Sequence, residues 1–165
     1  MDPSSQRELH IPIGIVGQAD VSRLLREITY IEDFLHQAEL RQAGQASVQI
    51  PRLSRLLNEF AEDNKLNVLK VADRAAAIDF LKMLKLSAPT IHISFAAEPS
   101  GLFVSKLITW LRAHIHPQLL LQIGLQPALA AGCVVRTPNK YFDFSLRARF
   151  DDQRLLLISK LEAKP

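Results

Sequence analysis

The sequence predicts an α+β fold in two parts. A helical N-terminal domain covers residues 1–88, and a small αβ domain with a β-hairpin and a C-terminal helix covers 89–165. Apolar residues recur every three or four positions up to residue 88, which is the period of one face of a helix. From Thr90 onward the pattern changes to short alternating or apolar runs separated by turn residues, which is how strands read. With 165 residues, 48% apolar and 22% charged, the chain has the balance of a folded protein and the length for two small domains in series.

The first helix is the clearest element. Val21, Leu24, Ile28, Ile31, Leu35 and Ala38 are spaced 3, 4, 3, 4, 3, which puts them in one stripe, and Leu25 widens it to core width. Asp20 is the expected N-cap and Gly44 lies near the expected end, so the helix is placed over residues 20–43. Ile50, Leu53, Leu57 and Phe60 repeat the pattern in a shorter helix. A third is expected to start near Asp73 and to show Ala77, Phe80, Leu81 and Leu84 on one face before Ser87-Ala88-Pro89 stops it. Three such helices bury their stripes against one another or against a partner.

In the second half, Thr90-Ile91-His92-Ile93-Ser94-Phe95 alternates as a half-buried strand does. Glu98-Pro99-Ser100 turns into a helix carrying Phe103, Leu107, Trp110, Leu111 and Ile115, with Pro117 just beyond. Leu119-Leu120-Leu121-Gln122-Ile123 reads as a second strand, apolar enough to be central. Cys133-Val134-Val135-Arg136 and Tyr141-Phe142-Asp143 flank the four-residue turn Thr137-Pro138-Asn139-Lys140, a hairpin. The tail from Asp151, with Leu155, Leu156, Ile158 and Leu161, reads as an amphipathic helix with Asp151-Asp152 at its acid-favouring start.

Catalytic arrangements are not expected. His114 and His116 point in nearly opposite directions on a helix, and His10, His36 and His92 are isolated. No Gly-rich loop joins a strand to a helix, and Gly14-Ile15-Val16-Gly17 has no Lys-Ser/Thr after it. Cys133 is the one cysteine; in an apolar run it reads as a small buried hydrophobe, and no disulfide is possible within the chain. No catalytic residue, cofactor or metal ligand is therefore assigned.

Charge is unevenly spread. Residues 1–88 hold 11 basic and 12 acidic groups, residues 89–130 hold 2 and 1, and residues 131–165 hold 7 and 4. The basic last third suits an acidic partner or anionic headgroups, and is too weak a field to argue for nucleic acid alone. No apolar run approaches the roughly 18–20 residues that cross a bilayer. The opening Met1-Asp2-Pro3-Ser4-Ser5-Gln6-Arg7-Glu8 reads neither as a secretory signal nor as a transit peptide, so the product is expected to stay where it is made.

The run from Leu119 to Phe150 holds Gln126-Pro127-Ala128-Leu129-Ala130-Ala131-Gly132 leading into a strand, a turn, and then Asp143-Phe144-Ser145-Leu146-Arg147. This resembles the C-terminal signature of the delta subunit (oligomycin-sensitivity-conferring protein) family of F-type ATP synthases. There an Asp-Pro-x-Leu-x-Gly-Gly run enters a strand, and a hairpin leads to Asp-x-Ser-x-Arg. Pro127, Leu129, Gly132, Asp143, Ser145 and Arg147 match it, with Arg136 ending the intervening strand. Gln126, Ala131 and Phe144 depart from it, and the family's Tyr-Ala-x-Ala opening is absent. The resemblance covers roughly residues 90–150.

Each matched residue also has a physical reading. Gly132 permits a tight turn into the hairpin, Pro127 ends the preceding strand, Asp143 and Ser145 cap or turn the chain, and Arg147 pairs with Asp143.

The resemblance implies a non-catalytic stator subunit, monomeric in isolation and without nucleic acid. Its helical domain would receive N-terminal helices of alpha subunits at the catalytic head, and its αβ domain would hold the ends of the b-type stalk helices. It would lie in the cytoplasm, attached peripherally to the inner face of the membrane through the complex. Val21, Leu24, Ile28, Ile31 and Leu35 are candidates for one wall of a helix-binding groove, or are plain core. Two rival classes are a helical adaptor unrelated to the synthase, and a nucleic-acid binder using Arg136, Lys140, Arg147 and Arg149 with Tyr141, Phe142 and Phe144 as stacking surfaces.

Overall fold

The N-terminal stripe forms helix α1, Gln18–Arg41, in a computed structural model that describes residues 9–41 and 51–162. The chain divides into two units, Met1–Ala88 and Pro89–Pro165. The first unit is α1 with α2, Arg55–Asp63, and α3, Val71–Ser87. Ile50, expected to head the second helix, lies outside the described residues, and Leu53 precedes that helix.

Val21, Leu24, Ile28 and Ile31 are at most 2% exposed. They share the core with Leu57 and Phe60 of α2 and with Ala77, Ile78, Leu81 and Leu84 of α3. Fully burying each large aliphatic side chain is worth about 1.5–3 kcal/mol, so this stripe holds the helices together. Phe80 stacks on Phe60 with ring centroids 6.2 Å apart.

The helix ends are set by side chains the spacing alone does not reveal. Asp20 is not the N-cap of α1. It sits inside the first turn, and its Oδ2 accepts hydrogen bonds from the N–H groups of Val16 and Gly17, both at 3.0 Å. That is the reach-back half of a capping box. Ser54 caps α2 by accepting from Leu57 N–H at 3.2 Å. Glu27 of α1 grips the same residue, accepting from its N–H and its hydroxyl at 2.6 Å each. Asp73 likewise lies two residues inside α3, where its carboxylate accepts from Asn67 N–H at 2.8 Å.

Past the last residue of α2, Asn64 bonds both ways to His10, accepting from its N–H and donating to its carbonyl. Lys65 follows at φ +52°. Leu66 N–H then reaches the Ala61 carbonyl and Lys65 N–H reaches that of Glu62. This is a Schellman ending with lysine in the left-handed position that glycine usually takes.

Arg74 is 5% exposed. One terminal nitrogen, Nη1, donates to the carbonyls of Val68 and Leu69, closing the loop between α2 and α3. Its Nε has no partner.

The second unit runs β1 (Thr90–Phe95), α4 (Gly101–His114), β2 (Leu120–Leu125), a 3-10 turn (Pro127–Leu129), β3 (Cys133–Arg136), β4 (Tyr141–Asp143) and α5 (Leu146–Glu162). The sheet order is β2-β1-β3-β4, with β1 and β2 parallel and the other pairs antiparallel. β2 is therefore an edge strand and not the central one its apolar start suggests. Leu120 and Leu121 are buried while Ile123 and Leu125 are exposed, so only the first half of the strand behaves as interior.

Ser100 caps α4 through its hydroxyl. The buried side of α4 is Ile108 and Leu111, whereas Phe103, Trp110 and Ile115 of the expected stripe are about half exposed. Arg112 Nε donates to the Leu119 carbonyl at 3.1 Å, tying the end of α4 to the start of β2. Asp151 and Asp152 do not begin the last helix, because α5 starts five residues earlier, after Ser145. The side chains of Leu155, Leu156 and Leu161 lie outside what the structure describes; Ile158 is partly exposed.

Candidate functional site

The stretch from Pro127 to Arg147 closes on itself. Pro127 opens the 3-10 turn after β2, and Leu129 is buried beneath it. The chain then reverses through Ala130, at φ +64° and ψ −52°, with Ala131 N–H donating to the Leu129 carbonyl at 2.8 Å. This three-residue turn is of the rare, strained hand. Gly132 follows at φ +87°; a Cβ there would overlap the Phe144 carbonyl oxygen and stand 3.2 Å from Ser145 Cα.

Two backbone bonds bring the two arms together, and a third ties them to the β1 side. Phe144 N–H donates to the Cys133 carbonyl, Leu146 N–H to that of Ala131, and Ala96 N–H of the β1 side to that of Gly132. Asp143 Oδ1 accepts from Ser145 N–H at 2.8 Å, and the buried Ser145 hydroxyl accepts from Ala148 N–H, capping α5. The Ser145 hydroxyl, then its N–H, and more weakly the Arg147 charge, hold the Asp143 carboxyl below its ordinary range. Burial, and then the Asp143 charge, push the Cys133 thiol up, so it stays protonated at neutral pH.

Thus Pro127, Leu129, Gly132, Asp143 and Ser145 meet in one clasp between β2 and α5. Arg147 stands beside it. Arg136 lies apart at the far end of the hairpin, its guanidinium 5.3 Å from the Tyr141 ring centre.

Beside the clasp the sheet exposes aromatic rings. The register pairs Val135 with Phe142 and Arg136 with Tyr141, so the two strands' side chains alternate together between faces. Phe95, Cys133 and Phe144 share one face, as do Ile93, Val135 and Phe142 in the next row. Phe103 of α4 meets Phe95 edge-on at 5.9 Å, placing α4 over that same face. Phe142 and Phe144 are 42% and 62% exposed and near-parallel, with centroids 6.2 Å apart. Tyr141 points to the opposite face with Arg136, so the three aromatics do not make one stacking platform.

The other candidate surface fares differently. Val21, Leu24, Ile28 and Ile31 are fully engaged in the first unit's core and offer no groove wall; of the five, Leu35 alone keeps part of its surface. Among the described residues no group of three or more His, Cys, Asp or Glu is placed to hold a metal ion. No helix there is long and apolar enough to cross a membrane. No family model matches the chain. No curated protein matches it either.

Sequence reasoning grouped Phe142 and Phe144 with Tyr141 as stacking surfaces and did not separate the two faces. The signal available was the i, i+2 spacing of Phe142 in β4 and Phe144 just after it, which puts both rings on the face opposite Tyr141.

Proposed function

We propose that this chain is a delta-type coupling subunit of the peripheral stalk of an F-type ATP synthase. It is non-catalytic: the helical unit docks the catalytic head through alpha-subunit helices, and the αβ unit holds the b-type stalk ends. It works in the cytoplasm, peripheral to the inner face of the membrane through the complex. The supporting observation is the clasp. Five of the six residues shared with the family pattern, distant by up to 18 positions, converge on one turn, with Gly132 in a conformation that excludes a side chain. A joint of this kind needs rigid apolar surfaces for amphipathic helices and no reactive group.

The test is co-purification of the tagged full chain from its own cells, with identification of attached proteins. Alpha and b-type synthase subunits are the expected companions. A stable complex lacking both would overturn the reading and favour an unrelated adaptor.

A further inference from the structure

β2 is an outer strand of the sheet, and its open edge carries none of the usual protection. At one end of the β1–β2 ladder Leu120 N–H donates to the Pro89 carbonyl, and at the other Gln126 N–H donates to that of Phe95. The even-numbered residues of β2 therefore face β1, and Leu121, Ile123 and Leu125 turn their N–H and carbonyl groups outward. Those outward groups meet no hydrogen-bond partner among the described residues.

Natural sheets guard such an edge with charges, prolines, bulges or a covering segment. Here the ladder runs one to one from Thr90–Leu120 to Phe95–Leu125 without a bulge. Pro117 and Pro127 lie beyond the ends of β2 and not within it. No Asp, Glu, Lys, Arg or His occurs from Pro117 to Val135. Ile123 and Leu125 are 39% and 61% exposed, so the edge is both apolar and open to solvent.

Unpaired backbone groups at strand spacing are satisfied by another extended strand, and β2 is complementary to itself. An antiparallel pair centred on Ile123 sets it opposite Ile123 of a second copy, with Leu121 and Leu125 opposite each other. All three outward residues then exchange both of their backbone bonds. Their side chains fall on one face, in line with Ile91, Ile93 and Phe95. On the other face Gln122 stands opposite Gly124, which has no side chain to crowd it. Neither strand carries a charge to repel its copy, and a foreign strand selected by charge finds none here to pair with.

We infer that β2 is a homodimerisation edge: two copies join antiparallel through Leu120–Leu125, about a two-fold axis at Ile123, into one continuous sheet. The inference is independent of the coupling reading. A single strand pair is smaller than the roughly 1,200 Å² of a standard interface, so the dimer should be weak, with Kd on the order of 10–100 μM.

Sedimentation equilibrium of the full chain from about 1 to 300 μM should show monomer passing to dimer. Ile123→Lys and Ile123→Glu each set like charges opposite each other at the axis. Each should weaken association at least about tenfold at low salt, while an equimolar mixture of the two recovers it as a heterodimer. If either variant melts early, crosslinking decides. Residues opposite each other in a hydrogen-bonded pair have Cα atoms about 5.5 Å apart, within disulfide reach. In a Cys133→Ser background, Ile123→Cys should therefore crosslink to itself on mild oxidation. Gln122→Cys, diagonal to its own copy, should do so at least about tenfold more slowly. The inference is overturned by absence of association at the top concentration, by association indifferent to the charged variants, or by equal crosslinking at the two positions. It is also overturned if an unrelated uncharged strand peptide disrupts the dimer as well as one spanning Leu119–Gln126, which would make the edge a general acceptor of strands.

Discussion

Gly132 passes directly beneath the carbonyl of Phe144, so close that no side chain fits between them. The contact joins the strand entering the hairpin to the residue leaving it, and it explains why a left-handed backbone is held here at φ +87°. Two residues earlier, Ala130 holds a positive φ despite carrying a Cβ. The pair makes opposite demands of the same loop.

Gly132→Ala is expected to cost at least about 1–3 kcal/mol, from strain and from displacement of Phe144. Ala130→Gly should raise stability or leave it unchanged, with a gain of up to about 1 kcal/mol. Thermal unfolding of both variants checks this. Equal melting temperatures for Gly132→Ala and the parent chain would remove the clasp's structural meaning.

Asp143 carries a pH signature. Its folded-state carboxyl is held below the unfolded value by Ser145, so its contribution is complete above about pH 4, the unfolded range. It is lost as pH falls through the folded value. Asp143→Asn should therefore be less stable than the parent at pH 6–7, with the difference shrinking on acidification below pH 4. Urea titrations at pH 7 and pH 3 measure both ends. A difference that grows in acid contradicts the assignment.

Arg74 is buried and donates to two loop carbonyls. Arg74→Met keeps the bulk and removes the donor to Val68 and Leu69 carbonyls, so it should cost about 1–3 kcal/mol. Arg74→Lys should recover only part, because a single ammonium replaces the fork. Denaturant midpoints rank the three. Full stability in Arg74→Met would show those loop carbonyls to be satisfied by water.

Cleavage between Ala88 and Pro89 separates the two units. Each fragment is expected to give its own cooperative melt, with helical circular dichroism for the first and mixed signal for the second. Fragments that fold only when mixed would reveal a shared core.

How much was legible depends on what sets each feature. The α1 stripe was readable because burial repeats with the helix, and Val21, Leu24, Ile28 and Ile31 are core. The hairpin and its Thr137–Lys140 turn were readable from turn chemistry; Thr137 N–H and the Lys140 carbonyl close it at 2.9 Å. Gly132 was singled out and does sit where a Cβ has no room. The end of α2 was not readable, because a lysine occupies the position where glycine would have announced it. Nor was the place of β2: Leu119, Leu120 and Leu121 are buried like a central strand, and only pairing with β1 alone makes β2 an edge.

The position of β1 has a consequence during synthesis. It emerges first among the strands yet lies between β2 and β3, so both of its edges stay unpaired while its partners are still being made. Cys133, which begins β3, follows Phe95 by about 40 residues, some 2–8 seconds at the usual 5–20 residues per second. Over that interval Ile91 and Ile93 have no sheet neighbour on the β3 side, a state prone to edge-to-edge pairing between nascent chains. Nascent chains stalled before Cys133 should therefore aggregate, whereas those released after Asp143 should not.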